Sequence, residues 1–449
     1  MIQIRARHVI IFSMALVFHL ILVNMALAAG PGDLDPTFNG TGVVTTSISS
    51  GFDGGYAVAV QSDDKIVVTG VSNSDGFQDD FALVRYNRDG SLDSTFNSTG
   101  IVTTSIGPSF GYAVAVQPDK KIIVAGVAGR GDPNGSNFTV DFAIARYTPT
   151  GGLDPTFNST GVVTTPVNAP FNPGNNALAL QADGKIVVAG TSDVDFINDT
   201  SNIFIARYKE NGSLDSGFNH TGIVTTHVSY GFDGASAVTI QPDQKIIIAG
   251  ASNSTLAVAR YTITGSLDSN FNGTGVITTP IGDGSSGSAV ALQSDGKIVV
   301  AGTTVTNDDR DFVVVRYHHD GRLDKTFNGT GIAITDVGSD FDRGFGLALQ
   351  PNGKIVVVGD SGSTIDNITG DFTTIRYNHD GKLDTTFGAT GIVTTSLSIH
   401  KDEGHSVAIQ ADGKIVMAGH SVNGDDQSYF TVLRYLGDRT TFLPVIMKQ

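Results

Sequence analysis

The chain has 449 residues, a formal net charge of −16 and no cysteine. The lack of cysteine excludes disulfides, cysteine-ligated zinc, Fe–S clusters and thiol nucleophiles, and the acidic balance disfavours nucleic acid as a partner. A chain of this length exceeds the size at which a single hydrophobic core stops growing, so several domains or an internal repeat are expected.

The N-terminal segment predicts export from the cell. Arg5 and Arg7 precede a long apolar run, which ends in a small-x-small cleavage site at Ala28. This order is typical of a signal peptide over residues 1–28. An uncleaved membrane anchor is the alternative, because the apolar run is about as long as a bilayer-spanning helix. We therefore expect a secreted or cell-surface protein, soluble once the leader is removed.

One set of phrases recurs seven times after this leader. Each copy contains Leu-Asp-x-x-Phe, a Val-Val-Thr-Thr-like segment, Ala-Val-Ala-Val-Gln, Lys-Ile-Val-Val-Ala-Gly and Phe-Ala-x-x-Arg-Tyr. The repeats occupy residues 29–435, begin near 34, 92, 153, 214, 267, 323 and 383, and leave a C-terminal tail over 436–449. Their spacing varies while the phrases keep their length, so insertions are expected in loops.

The phrases predict an all-β protein. They are short runs rich in Val, Ile, Thr and aromatic residues, separated by Gly, Asp and Asn, and none has a helical period. Four antiparallel strands per unit and a period of about 60 residues favour a seven-bladed β-propeller. The first predicted strand, at Val43, precedes the first complete unit, and the last ends at Tyr435. We expect this N-terminal strand to join the last blade and close the ring, which would hide open sheet edges.

A hairpin joins the second and third phrases through Gln-x-Asp-Gly-Lys, as in Gln181–Lys185. This pattern predicts a type I turn followed by a left-handed residue, for which glycine is best suited. Asp64, Lys120 and Gln244 replace that glycine in three copies.

Two phrases resemble the delta-60 repeat family of bacterial exported proteins. Gln181–Gly190 and Arg85–Phe96 match the phrases of that family closely, and the resemblance extends from Leu34 to Tyr435. It implies a β-propeller, and it supplies no established catalytic residue.

The predicted topology separates constant loops from variable ones. Within a blade, the first and third connections lie at one face and are nearly constant, whereas the second and fourth lie at the other face and vary. Variable loops on a rigid scaffold are where recognition is usually located. We expect an extracellular protein or polysaccharide to bind this face, whose loops include residues 71–79, 127–140, 191–201, 303–310, 360–370 and 420–428.

Two sets of aspartates are candidate functional residues. The aspartates of the Leu-Asp phrases recur in every unit, as a structural role requires, and are expected to bind turn amides or the Arg of Arg-Tyr. A second set precedes the predicted inner strands and could face the channel mouth, where its carboxylates would suit calcium. These candidate metal ligands are Asp53, Asp233, Asp342 and Asp402, with Asp283 nearby in another unit. Apart from calcium, no cofactor is predicted.

Residues 400–405 form the only local cluster of metal-ligand types, and His420 lies in the same unit. The cluster lacks a recognised zinc spacing, so it is interpreted as a polar surface loop rather than a metal site.

No nucleophile elbow or phosphate loop occurs in the chain. The preferred hypothesis is therefore an exported, non-catalytic propeller that binds a partner through its variable loops. A metal-dependent hydrolase or lactonase at the channel mouth is one alternative, and a purely structural envelope component is another. A membrane becomes a partner only if the leader stays attached or the tail is an anchor.

Overall fold

The structure is a computed structural model that describes residues 29–73, 79–131, 139–169, 177–195, 198, 200–338, 341–362, 369–425 and 427–438, with backbone alone at 168 and 169. The predicted signal peptide at 1–28 and most of the predicted tail, 439–449, lie outside these ranges, as do parts of several variable loops. No helix long and apolar enough to cross a membrane occurs among the described residues.

The described residues form 28 strands and no helix. They build seven blades of four antiparallel strands, as predicted. From the innermost strand outwards, the blades are: blade 1, β2 Asp53–Val60, β3 Ile66–Asn73, β4 Asp79–Tyr86 and β5 Ile101–Thr104; blade 2, β6 Ser109–Val116, β7 Ile122–Arg130, β8 Thr139–Tyr147 and β9 Val162–Ala169; blade 3, β10 Ala177–Leu180, β11 Ile186–Asp195, β12 Thr200–Tyr208 and β13 Ile223–Thr226; blade 4, β14 Asp233–Ile240, β15 Ile246–Ser252, β16 Thr255–Tyr261 and β17 Val276–Thr279; blade 5, β18 Gly284–Leu292, β19 Ile298–Thr306, β20 Asp309–Tyr317 and β21 Ile332–Thr335; blade 6, β22 Phe341–Leu349, β23 Ile355–Gly362, β24 Asp371–Tyr377 and β25 Ile392–Thr395; blade 7, β26 Asp402–Ile409, β27 Ile415–Val422, β28 Ser428–Tyr435 and, at its outer edge, β1 Val43–Thr46.

The N-terminal strand completes the last blade. Strand β1 pairs antiparallel with β28, in the register that places Val44 opposite Val432. Blades 1 and 7 share one buried core, and the Tyr86 hydroxyl lies 2.7 Å from Thr46 Oγ1 across that interface. An equivalent tyrosine–threonine bond joins the other neighbouring blades, so the junction between the chain ends has the same chemistry as the rest of the ring.

The middle strands of each blade are covered on both faces by the neighbouring blades. In β3 every residue from Ile66 to Ser72 is buried, although successive side chains point to opposite sides. The Lys-Ile-Val-Val-Ala-Gly phrase is therefore a continuous apolar run rather than an alternating one. Outer strands such as β5 do alternate between buried and exposed residues.

A buried ionic cluster recurs in each blade and explains the most constant residues of the repeat. In blade 5, Arg316 Nε lies 2.8 Å from Asp324 Oδ2, and Lys297 Nζ lies 3.4 Å from the same oxygen. The guanidinium stacks over Phe327 at 4.7 Å and donates to the carbonyl of His379 in the next blade. All seven Leu-Asp aspartates pair with the arginine and the lysine in this way. The predicted structural role of these aspartates is confirmed.

The hairpin prediction is also confirmed. The glycines at the fourth position of the Gln-x-Asp-Gly-Lys turn have positive φ, for example 83° at Gly184. Asp64, Lys120 and Gln244 adopt the same left-handed conformation at 63°, 65° and 66°. These three residues carry the steric strain that a Cβ brings to this region.

Candidate functional site

The innermost strands carry a β-bulge that determines which side chains line the channel. In the six whose register is described at this point, the pairing skips one residue, which therefore has no direct partner on the neighbouring strand. The side chains of these bulge residues surround a channel cavity of about 290 Å³. The bulge residues are Tyr56, Tyr112, Ser236, Ser288, Phe345 and His405.

The glycine that ends the Lys-Ile-Val-Val-Ala-Gly-like phrase makes this bulge sterically allowed. A Cβ on Gly419 would lie 1.8 Å from the carbonyl oxygen of Glu403, and a Cβ on Gly70 would lie 1.7 Å from that of Gly54. No real Cβ tolerates such a contact, so the glycine is required where the bulged backbone approaches its partner strand. The constant glycine thus supports a neighbouring position whose side chain differs from blade to blade.

Aromatic rings cluster on one side of the channel. Tyr56 lies between Tyr112 and His405, with ring centroids 5.3 Å and 5.1 Å away. Phe345 continues the arc, 5.3 Å from His405. Burial, with a smaller contribution from Asp79, raises the pKa of Tyr112 to about 12, so this hydroxyl stays protonated at neutral pH. Serines occupy the opposite side at Ser236 and Ser288.

Two cross-strand pairs at the variable-loop end of the channel are ionisable. Arg343 faces Asp360 in blade 6, and Glu403 faces His420 in blade 7. The corresponding pairs in four other blades carry no ionisable side chain: Gly54–Val71, Phe110–Val127, Gly234–Ala251 and Ser286–Thr303. Among the six blades in which this pair is described, the ionisable groups are therefore a local departure from the repeat, in two neighbouring blades.

The two pairs form one buried network. Arg343 Nη2 lies 2.5 Å from Asp360 Oδ2 and also contacts Glu403 Oε1. Lys401 Nζ lies 2.5 Å from the same Glu403 oxygen. The other carboxylate oxygen, Oε2, lies 3.4 Å from Nε2 of His405 and 3.4 Å from Nε2 of His420. The side chain of Glu403 is 10% exposed and that of His420 is 7% exposed.

Burial and neighbouring charges determine the protonation of this network. Burial, reinforced by His405, lowers the pKa of His420 to about 3, so its ring is neutral at neutral pH. Burial alone would raise the pKa of Glu403, but the contact with His405 and the charge of Arg343 outweigh it and hold this pKa below its ordinary range. The expectation of a polar surface loop at residues 400–405 is wrong for Glu403, because pairing of β26 with β27 buries it against His420.

A second cavity opens beside the channel on the same face. Its volume is about 660 Å³, and it shares Ser236, Ser288 and Phe345 with the wall of the channel. Arg310 and Phe232 also line it. The guanidinium of Arg310 lies 4.5 Å above the ring of Phe341, which holds this long side chain at the edge of the cavity.

The four aspartates predicted as metal ligands occupy equivalent positions, each at or next to the start of an innermost strand. All four are fully buried. Each accepts a short bond from a backbone amide five residues earlier, at 2.7 Å, as the Ile48 amide donates to Asp53. Ser49 Oγ and Ser72 Oγ also donate to Asp53. Through these contacts each carboxylate fixes the loop that precedes it. That the four aspartates bind a metal stays a prediction.

Only Asp342 of the four belongs to a described group of side chains close enough to share one ion. Its carboxylate lies with those of Asp311 and Asp336, with ligand atoms within 4.8 Å of one another. Burial and the charges of Asp309, Asp336 and Asp342 raise the pKa of Asp311 to about 6. Burial also raises the pKa of Asp402, in spite of the loop amides that bind its carboxylate.

The fold and its channel define a seven-bladed β-propeller with an asymmetric, partly aromatic channel mouth. The chain belongs to the family described as a domain of unknown function (DUF5122) beta-propeller. The family matches residues 61–96, 117–157, 181–218, 241–271, 293–327, 350–387 and 410–438, which together make up more than half of the chain. The expected membership of a β-propeller repeat family is thus confirmed. No curated protein matches the chain.

Three solved structures show a distant likeness in fold. A catalytically inactive virginiamycin B lyase from Staphylococcus aureus, with quinupristin, is 11% identical with a TM-score of 0.47, covering 87% of this chain and 98% of its own. The polysaccharide lyase Uly1 is 12% identical with a TM-score of 0.44, covering 86% and 91%. Drosophila Plexin A, in complex with Semaphorin 1b, is 10% identical with a TM-score of 0.42, covering 91% and 87%. None of these bears on the function of this chain.

Proposed function

We propose that this protein is an exported, non-catalytic binding propeller that holds a polysaccharide at the variable-loop end of its channel. Export is supported by the leader-like residues 1–28, and the phrases of the repeat support a place among the delta-60 repeats. The product would act outside the cell, free or at the cell surface.

The location of exposed aromatic rings carries the proposal. Among the described residues, the exposed aromatic side chains are Phe52, Tyr230 and Phe232, at 40%, 96% and 41%. All three lie in loops that lead into innermost strands, and therefore at the variable-loop face. Exposed rings grouped on one face of a soluble protein mark a binding surface.

The shape of this face favours a polysaccharide over a flat protein partner. The 660 Å³ cavity is concave, is bordered by Phe232 and Phe345, and carries the polar groups of Arg310 and Ser288. Concave sites that combine aromatic walls with a few convergent polar groups are typical of small ligands and of single units of a chain molecule. A sugar ring presents both an apolar face and hydroxyl groups to such a wall.

Binding of fluorescently labelled extracellular polysaccharides, measured by anisotropy, tests this function. Phe232→Ala combined with Tyr230→Ala is expected to weaken binding about tenfold or more, as truncation of aromatic anchors does. Ile263→Ala is the matched control, because this side chain is 53% exposed but lies in a loop of the opposite face. Equal weakening by both variants, or no saturable binding of any polysaccharide, would exclude the proposal. The latter result would favour a purely structural envelope component.

A metal-dependent hydrolase or lactonase at the channel mouth is the second candidate. The observation in its favour is the Glu403–His405–His420 group, whose metal-ligand atoms lie within 4.8 Å of one another and whose His405 lines the channel. Turnover of a lactone or ester that stops with a chelator and returns with added metal would support it.

A further inference from the structure

We propose that Glu403, His405 and His420 form a binding site for one divalent transition-metal ion of the zinc type. This inference goes beyond the binding function and does not depend on it, because the metal site and the aromatic surface consist of different residues.

Two features of blade 7 bring the three side chains together. Glu403 and His420 are directly opposite each other on the paired strands β26 and β27. His405, the bulge residue of β26, is two residues after Glu403, and residues two apart on a strand share one face. The constant glycine at Gly419 allows this bulge, since any Cβ there would collide with the Glu403 carbonyl.

The distances suit tetrahedral zinc. Glu403 Oε2 lies 3.4 Å from His405 Nε2 and 3.4 Å from His420 Nε2, and all three groups offer ligand atoms within 4.8 Å. Zinc–nitrogen and zinc–oxygen bonds of about 2.0 to 2.1 Å place neighbouring ligands of a tetrahedral site about 3.3 Å apart. The two distances from Glu403 thus approach the spacing of a zinc site. His405 Nε2 also lies 3.2 Å from Nδ1 of His420, a contact that the bound ion would replace.

Neighbouring cationic side chains determine which carboxylate oxygen of Glu403 would bind the ion. Arg343 and Lys401 both contact Oε1 of Glu403, so that Oε2 is left to face the two imidazoles. Asp360 pairs with Arg343 and offsets its charge. Cationic side chains that hold one oxygen of a ligating carboxylate fix its orientation, which is the usual role of groups just outside a metal's ligands.

The imidazole nitrogens of His405 and His420 indicate which class of metal ion would bind. Imidazole suits zinc and similar transition metals, whereas calcium and magnesium prefer oxygen. Three protein ligands leave a fourth position, and His405 lines the channel cavity. The fourth position would therefore be open to molecules in the channel, an arrangement that distinguishes catalytic zinc sites from closed structural ones.

Metal content and spectroscopy of the purified protein test the inference. After removal of metal with a chelator and dialysis against zinc, we expect one equivalent by elemental analysis. The cobalt-substituted protein is expected to give the intense visible absorption of a tetrahedral site. His405→Ala and His420→Ala should each weaken zinc binding by about tenfold or more.

His227→Ala is the matched control. His227 Nδ1 lies 3.4 Å from the buried Asp233, and the two form a histidine–carboxylate pair that belongs to no three-ligand group among the described residues. Its replacement should leave the zinc affinity unchanged. An equal loss in His227→Ala and His405→Ala, or no stoichiometric zinc in the wild type, would overturn the proposal. The cobalt spectrum needs no variant, so it remains decisive if a histidine variant fails to fold, and a weak octahedral spectrum would also count against the site.

Discussion

Asp311 is buried among other carboxylates, and its replacement by asparagine is expected to stabilise the protein at neutral pH. Burial and the charges of Asp309, Asp336 and Asp342 raise the pKa of Asp311 from 3.8 to about 6. A difference of about two pKa units corresponds to about 3 kcal/mol in the free energy of unfolding. Because the folded-state pKa is raised, the stability contributed by the protonated acid is complete below about pH 4 and is lost as the pH rises through about 6.

Urea unfolding of the wild type and Asp311→Asn at about pH 7.5 and about pH 4 measures this effect. A chelator is present, because a cation among the carboxylates would mask their repulsion. The variant should be more stable by up to about 3 kcal/mol at the higher pH, and most of the gain should be absent at the lower one. No gain at about pH 7.5, or the same gain at both, would refute the reasoning.

Asp154→Asn is the control with the opposite sign. Burial acts to raise the pKa of Asp154, but hydrogen bonds from Thr156 and the charge of Arg146 outweigh it and lower the pKa to about 2. The stability that this ionised group contributes is present above about pH 4 and is lost as the pH falls to about 2. Its replacement should therefore destabilise the protein at about pH 7.5, where Asp311→Asn stabilises it.

The remaining predictions concern the repeated structure and are all measured by denaturant unfolding. Gln244→Gly should stabilise by about 1 kcal/mol because it relieves a left-handed Cβ, and Gly184→Ala should destabilise by a similar amount. Asp324→Asn should destabilise by about 3 kcal/mol or more, since it leaves a buried guanidinium without its anion. Tyr86→Phe and Tyr317→Phe should each destabilise by about 1 kcal/mol. A far smaller effect of Tyr86→Phe would mean that the junction between the chain ends is weaker than the other blade interfaces.

Most of the fold was predictable because its determinants are local and occur seven times. The positive φ of Lys120 follows from its place in a turn where other copies have glycine. Repetition also identified Asp324 as structural, since a ligand site has no reason to recur in every blade. The pairing of β1 with β28 was predictable because the last repeat lacks a fourth strand of its own, and β1, which precedes the first complete unit, can supply it.

The candidate site was less predictable because it depends on contacts between distant segments. Residues 400–405 contain several metal-ligand side chains close together in sequence. His420 is 15 residues beyond His405 and lies beside it only because β26 pairs with β27. Arg343 lies 60 residues before Glu403 and meets it across a blade interface. Asp53 is the first residue of an inner strand, close to its expected place before that strand, yet the sequence did not indicate whether its carboxylate faces the channel or the preceding loop.

Comparison of the seven copies offers a signal for such sites. A residue that holds the blade together recurs, as Arg316 and Asp324 do, because every blade interface needs the same bonds. In the six blades where it is described, the bulge position carries Tyr, Ser, Phe or His, and the pair beside it differs each time, although a glycine supports the backbone there. Structure alone gives no reason for Glu403, His405 and His420 to occur in contact in a single blade, with Glu403 and His420 buried. Their asymmetry within a symmetric scaffold is therefore the reason to look for function at this end of the channel.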